Sequence, residues 1–218
     1  MTERQCEAIS LARWAFYDFF SKLFYEPEAD MLEASYGRLL AEANQRYPVV
    51  RQEVVDNFSR VITETEAIQA LLIEYSKLYV GPSQLVAPPY GSYYLDGGQV
   101  MGDSTMEVKA YYRRAGFKVM DQIKEPPDHV AIVMNFLAQL AEKEHQLIES
   151  GAHERAKQIL QMAAEFYLRY PAQWLEEFAE NTRKGTHHRF YALGAEILIG
   201  FNQQESRYYQ GVLFGDGT

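Results

Sequence analysis

A single cysteine, Cys6, stands in this chain of 218 residues. No intramolecular disulfide and no multi-cysteine metal site can therefore form. Cys6 has no glycine-rich elbow or neighbouring base to make it a nucleophile, so an inert thiol in the first helix is expected. Positive charge is scarce as well: 21 Lys and Arg against 30 Asp and Glu leave a formal net charge of −9. A phosphate-binding face needs the opposite sign, so no nucleic-acid partner is expected. The acidity permits a basic ligand without requiring one. Apolar runs of about 18 residues are missing, which argues against a membrane span. The N-terminal Met-Thr-Glu-Arg-Gln-Cys-Glu has no basic region followed by an apolar stretch, and the expected location is the cytoplasm.

Several catalytic signatures are also missing. There is no phosphate-cradling Gly-x-x-x-x-Gly-Lys-Ser/Thr and no nucleophile elbow. A four-helix di-iron site needs two Glu-x-x-His elements, and only Glu142-Lys-Glu-His145 has that spacing. His187 and His188 are adjacent, so their rings leave a helix in different directions. No metal ligands, no cofactor and no enzymatic turnover are expected.

Aromatic side chains, in contrast, are plentiful, with 16 Tyr and 12 Phe. From residue 5 to residue 25 they crowd nearly all round a helical stretch (Trp14, Phe16, Tyr17, Phe20, Phe24), the mark of a buried helix. Pro27 ends it. Further helices are expected at 29–43, after Pro48 (Val54, Val55, Phe58), and after Thr63-Glu-Thr-Glu66, a capping-box pattern. Ser104-Thr-Met-Glu107 is a second such box and opens a helix stopped at Gly116. Helices at about 127–150, 153–169, 172–184 and 187–201 follow, punctuated by Gly151, Pro171 and Gly185. With no strand-like alternation, the fold class reads as all-α. A single-domain bundle of about eight or nine helices is expected, in helical groups 5–116 and 127–201 joined by a connector at 117–126.

One segment breaks the helical pattern. Residues 80–103 carry five glycines and three prolines, which exclude a regular helix. Yet Leu85, Val86, Tyr90, Tyr93, Tyr94 and Leu95 are too apolar for a disordered linker. A long ordered loop lying on the helices is expected, and such loops are usually functional.

The other informative segment is Glu125-Pro-Pro-Asp-His129. Pro127 suits a first helical turn, and the stripe from Val130 through Val133, Met134, Leu137 and Leu140 has the helical period. Asp128 would then sit at the positive end of the helix dipole, beside a histidine poised for titration near neutral pH. A plainer alternative makes Asp128 a helix cap and His129 a solvated ring. Taken together, the aromatic loop and this helix start suggest one wall of a groove. Tyrosine rings offer large contact area with few bonds to freeze, which suits peptide recognition. Tyr90 and Tyr93 could equally plug the loop onto the core.

Five elements occur in order along the chain: Tyr17 with Leu23-Phe24 and Pro27; Glu74-Tyr75 with Leu78-Tyr79 and Gly81-Pro82; Pro88-Pro89-Tyr90-Gly-Ser92-Tyr93; Tyr111-Tyr112-Arg-Arg-Ala-Gly116; and Glu125-Pro-Pro-Asp-His129. In these the sequence resembles the TorD/DmsD/NarJ family of redox-enzyme maturation chaperones, over about residues 10–200. The proline-proline-tyrosine loop and the Asp-His motif favour the TorD/DmsD branch. The resemblance implies an all-α cytoplasmic chaperone that binds the twin-arginine leader and the body of a molybdopterin oxidoreductase. It would hold the apoenzyme until its cofactor is inserted, before export. A basic and apolar leader needs acids beside an apolar groove. Glu125 and Asp128 are the expected acids, with Tyr75, Tyr90 and Tyr93 lining the apolar part and Ser92 and His129 beside them. Guanine-nucleotide binding, proposed for such proteins, finds no phosphate loop here. Such chaperones dimerise by domain swapping, so a monomer with a swapped minor dimer is expected, hinged at the connector. The alternatives are an all-α scaffold or regulator of another protein, and an enzyme using Asp128 and His129 as an acid/base pair.

Overall fold

The computed structural model describes residues 2–28, 32–64, 68–81, 85–119 and 123–215. Among the described residues there are ten α-helices: α1 Glu3–Leu23, α2 Ala34–Arg46, α3 Gln52–Glu64, α4 Ile68–Tyr75, α5 Gly91–Leu95, α6 Asp103–Arg114, α7 Val130–Glu149, α8 His153–Arg169, α9 Pro171–Gly185 and α10 Arg189–Phe214. One π-turn, Ser76–Val80, continues α4. The all-α expectation holds, with more helices than sequence reading counted.

Helix α1 starts at a capping box. The Thr2 hydroxyl accepts from the Gln5 N–H, and the Gln5 side chain accepts from the Thr2 N–H. Its aromatic crowding has the expected cause: Phe16, Tyr17, Phe19, Phe20 and Phe24 are all fully buried. α1 runs along α7, with α2 and α10 as further neighbours. Phe201 of α10 meets Phe16, Tyr17 and Phe20 at centroid separations of 5.3, 5.0 and 5.3 Å. Rings at such spacings and tilts contribute about 0.5–1.5 kcal/mol per pair beyond their buried area.

Within this apolar core lies a charged knot that sequence reading missed. Arg13 is fully buried; its Nε and Nη1 donate to Glu205 and Glu144, each at 2.8 Å. Nη2 meets the Tyr209 hydroxyl. The hydroxyls of Tyr17 and Tyr47 donate to Glu205 at 2.6 and 2.7 Å, so α1, α7, α10 and the end of α2 share one network. Burial pushes the Glu144 carboxyl up, against the pull of Arg13.

Several local expectations are corrected. The segment 80–103 is not helix-free: Gly91–Leu95 forms α5. Gly91 is needed there because a Cβ would lie 2.9 Å from Trp174 Nε1 of α9. α6 starts at Asp103 without the Ser104–Glu107 box; Asp96 accepts from the Ser104 N–H at 3.1 Å and from its hydroxyl at 2.8 Å. A local pattern was read where a side chain from the preceding turn does the capping. Thr63 belongs to the last turn of α3, where its hydroxyl donates to the Arg60 carbonyl, and the rest of that box lies largely outside the described residues. α2 begins at Ala34, with residues 29–31 outside the described ones. The last helix continues to Phe214 because Asn202, Glu205 and Tyr209 are buried polar residues, which a search for apolar periodicity passes over.

Candidate functional site

The loop of residues 85–90 and the start of α7 meet in an isolated antiparallel bridge between Tyr90 and His129. The Val130 N–H donates to the Pro89 carbonyl at 2.7 Å, and the Gly91 N–H to the Asp128 carbonyl at 3.0 Å. Asp128 Oδ2 takes the Ser92 N–H at 2.7 Å. Asp128 therefore caps α5, a helix 36 residues upstream, with its main chain and side chain together. The Ser92 hydroxyl in turn accepts from the Met101 N–H at 3.1 Å. α6 joins the same junction, since the Tyr112 hydroxyl donates to the Pro127 carbonyl at 2.8 Å.

Two expectations fall with this geometry. Asp128 is 2% exposed and neither borders a groove nor caps α7; its carboxylate is committed to α5, with Oδ1 buried and without a hydrogen-bond partner. The cap of α7 is His129, whose Nδ1 accepts from the Ala131 N–H at 3.2 Å. Burial pushes the His129 ring down to about 3, so it stays neutral where near-neutral titration was expected. Neither residue is the exposed acid/base pair of the enzyme alternative. Pro127 lies before the cap instead of in the first turn.

His129 does support an aromatic wall. Tyr90 meets its ring at 5.4 Å and Tyr25 at 6.2 Å, both edge-on. The Tyr90 hydroxyl donates to Glu125 at 3.0 Å. Burial raises the Tyr75 phenol, the carboxylates of Glu125 and Glu26 add to this, and Tyr90 and Tyr25 lie in the same neighbourhood, so Tyr75 backs the same wall. Tyr90 is raised for the same reasons, burial first and then Glu125. Tyr93 meets Tyr94 edge-on at 5.3 Å, and Tyr94 stacks on Trp174 at 5.6 Å. Of the seven anticipated residues, Tyr75, Tyr90, Glu125 and His129 come together; Ser92 and Asp128 form the brace behind them.

Tyr25 also opens onto a cleft of about 400 Å3 between the end of α1, the connector and the first turns of α7. Its apolar surface comes from Phe117, Val119, Ile123 and Ile132, and its acids are Asp18, Glu26 and Glu28. Lys22 and Lys118 line the cleft as well, Lys22 paired with Asp18 at 3.2 Å and bonded to the Tyr36 hydroxyl, which leaves Glu26 and Glu28 at the mouth. Sequence reading missed these acids. The available signal was Tyr25-Glu26-Pro27-Glu28, two acids on either side of the proline that ends an aromatic helix. An apolar trough with an acidic rim and an aromatic end wall can hold an extended peptide with apolar and cationic side chains.

A family model described as nitrate reductase delta subunit matches residues 26–180. The chaperone protein TorD of Vibrio vulnificus strain YJ016 is 27% identical over 203 residues, which cover 91% of this chain and 93% of that protein. The Tat proofreading chaperone DmsD of Salmonella paratyphi A is 31% identical over 149 residues, covering 67% of this chain and 66% of that one. A crystal structure of an Archaeoglobus fulgidus protein, described as a redox enzyme maturation protein, superposes with a TM-score of 0.59. At 20% identity over 87% of this chain and 93% of that one, it attests the fold. The match over most of its length, in a bundle of the same architecture, means that the chain belongs to the nitrate reductase delta subunit family, alongside the TorD and DmsD chaperones.

Proposed function

We propose that this redox-enzyme maturation chaperone binds the twin-arginine leader of a molybdopterin oxidoreductase in the cleft beside Tyr25, and also holds the apoenzyme body until its cofactor is in place. The relatives are chaperones and not enzymes. The observation that carries the reading is the cleft itself, with Asp18, Glu26 and Glu28 around an apolar floor. The leader's apolar segment would lie on Phe117, Ile123 and Ile132, and its arginines would meet the rim acids. Glu125, held by Tyr90, extends the acidic side toward the aromatic wall. We place this binding in the cytoplasm, where the leader is still attached. Among the described residues no helix is long and apolar enough to cross a membrane.

The test is calorimetry with a synthetic leader and with the same peptide carrying alanines in place of both arginines. One leader per chain is expected, the alanine peptide binding more weakly and the difference shrinking as salt rises. Equal affinities for the two peptides would remove the acidic rim from the mechanism.

We further propose a mainly monomeric chain with a slowly exchanging swapped dimer, in which the helices after residue 127 pack on the partner's first half. Support comes from the long α1–α7 contact, which either one chain or two can make. Light scattering on a sizing column, repeated at several concentrations, should show both species. A monomer at every concentration and pH would sink this part.

A further inference from the structure

Away from the cleft, Glu7 of α1 and His145 and Glu149 of α7 each bring one ligand atom within 4.8 Å of the others. His145 and Glu149 are four residues apart and leave one face of α7. Glu7 reaches them from the helix packed alongside.

Ser10 holds the other histidine nitrogen. This fully buried hydroxyl donates its one hydrogen to the Glu7 carbonyl at 2.9 Å. The same oxygen lies 3.2 Å from His145 Nδ1, a hydrogen bond whose direction follows the histidine tautomer. In the tautomer that donates from Nδ1 to Ser10, Nε2 presents a lone pair. That lone pair faces Glu149 Oε1 at 3.6 Å, with the Glu7 carboxylate beside it. In that tautomer three electron-pair donors converge. A metal cation can be shared by all three. A histidine fixed through its other nitrogen by a hydrogen bond is also the usual arrangement at metal sites.

We propose that Glu7, His145 and Glu149 bind one divalent transition-metal ion, with Ser10 as the positioning residue. One imidazole nitrogen and two carboxylate oxygens suit Zn2+ and its neighbours better than Mg2+ or Ca2+, which favour all-oxygen shells. Small rotamer changes would bring the three atoms to the usual ~2.0–2.2 Å from a zinc ion. Arg13 does not compete, because it engages Glu144 in the interior. The bound ion would staple the N-terminal half of α1 to the C-terminal half of α7. Sequence reading weighed Glu142 with His145 by local spacing; the convergent partners are Glu149 and, from another helix, Glu7.

The test titrates Zn2+ into tag-free protein at pH about 8, above the ordinary histidine range, with Co2+ absorption as a spectroscopic readout. One equivalent per chain is expected, with ligand-field bands for cobalt. His145→Ala should abolish both signals, and Ser10→Ala should weaken binding by about 10–100-fold, as loss of an orienting partner does at metal sites. His188→Ala should change nothing. Glu149→Gln, at a half-exposed position, keeps the test decisive if His145→Ala fails to fold. Unchanged uptake in His145→Ala or Glu149→Gln would overturn the proposal, as would the lack of a stoichiometric step in the native chain.

Discussion

Replacing Arg13 with methionine is expected to lower the melting midpoint by about 6–20 °C, the largest effect of any single polar substitution proposed for this chain. The side chain is fully buried, and the two carboxylates it engages are 0% and 5% exposed. Removing it leaves Glu205 and Glu144 facing each other in the core without a cation, and breaking a buried pair in this way costs about 3–5 kcal/mol. For a chain of this size each kcal/mol moves the midpoint by about 2–4 °C. Thermal melts followed by circular dichroism would measure it. The same logic makes Arg13→Met with Glu144→Gln and Glu205→Gln milder than Arg13→Met alone, because the stranded charges go as well. A single variant that melts with the native protein would mean that the knot is solvated or loosely formed.

Reversing the charge of Glu26 and Glu28 together, each to lysine, is expected to weaken leader binding by about tenfold or more, since 1.4 kcal/mol is a factor of ten. Both side chains are exposed at the mouth of the cleft. Exposed ion pairs contribute about 0.2–1 kcal/mol each, and reversal adds repulsion of similar size for each lost attraction. Neither residue helps hold the core, so the melting midpoint should stay within a degree or two. That separates recognition from folding, which a change at Asp128 could not do. Leader titrations and melts on one sample would give both numbers, and unchanged affinity would move the arginine contacts elsewhere, with Glu125 the next acid to test.

What was legible in the sequence divides by the range of the interaction involved. Helices with a strong local period, such as α1, α7 and α8, were located to within a few residues because one apolar face records them. The extension of α10 was invisible, since Glu205 and Asn202 look solvent-facing until Arg13 and Tyr167 are brought against them from elsewhere. The Asp-His motif was found, yet its chemistry was misread. Only the fold shows that Asp128 is spent on the Ser92 N–H and that His129 is buried under two tyrosines. The acids of the cleft escaped because their importance lies in facing the connector and α7, which no local spacing reveals. Tyr90 and Glu125 were recognised as a place, though not as a hydrogen-bonded pair.

The charged knot also bears on time. It spans the connector: Arg13 and Tyr17 precede it, while Glu144, Glu205 and Tyr209 follow it. Chains that traded their second halves would have to draw Arg13 away from both carboxylates before new partners could be found. At that point Glu144 and Glu205 would face each other without a cation and Arg13 would lack both partners, which makes it a steep place on the reaction coordinate. Whatever mixture of forms is present when the chain finishes folding would then persist long after conditions change. The knot would act as a latch on history, so that assembly state reports how the protein folded more than where its equilibrium lies.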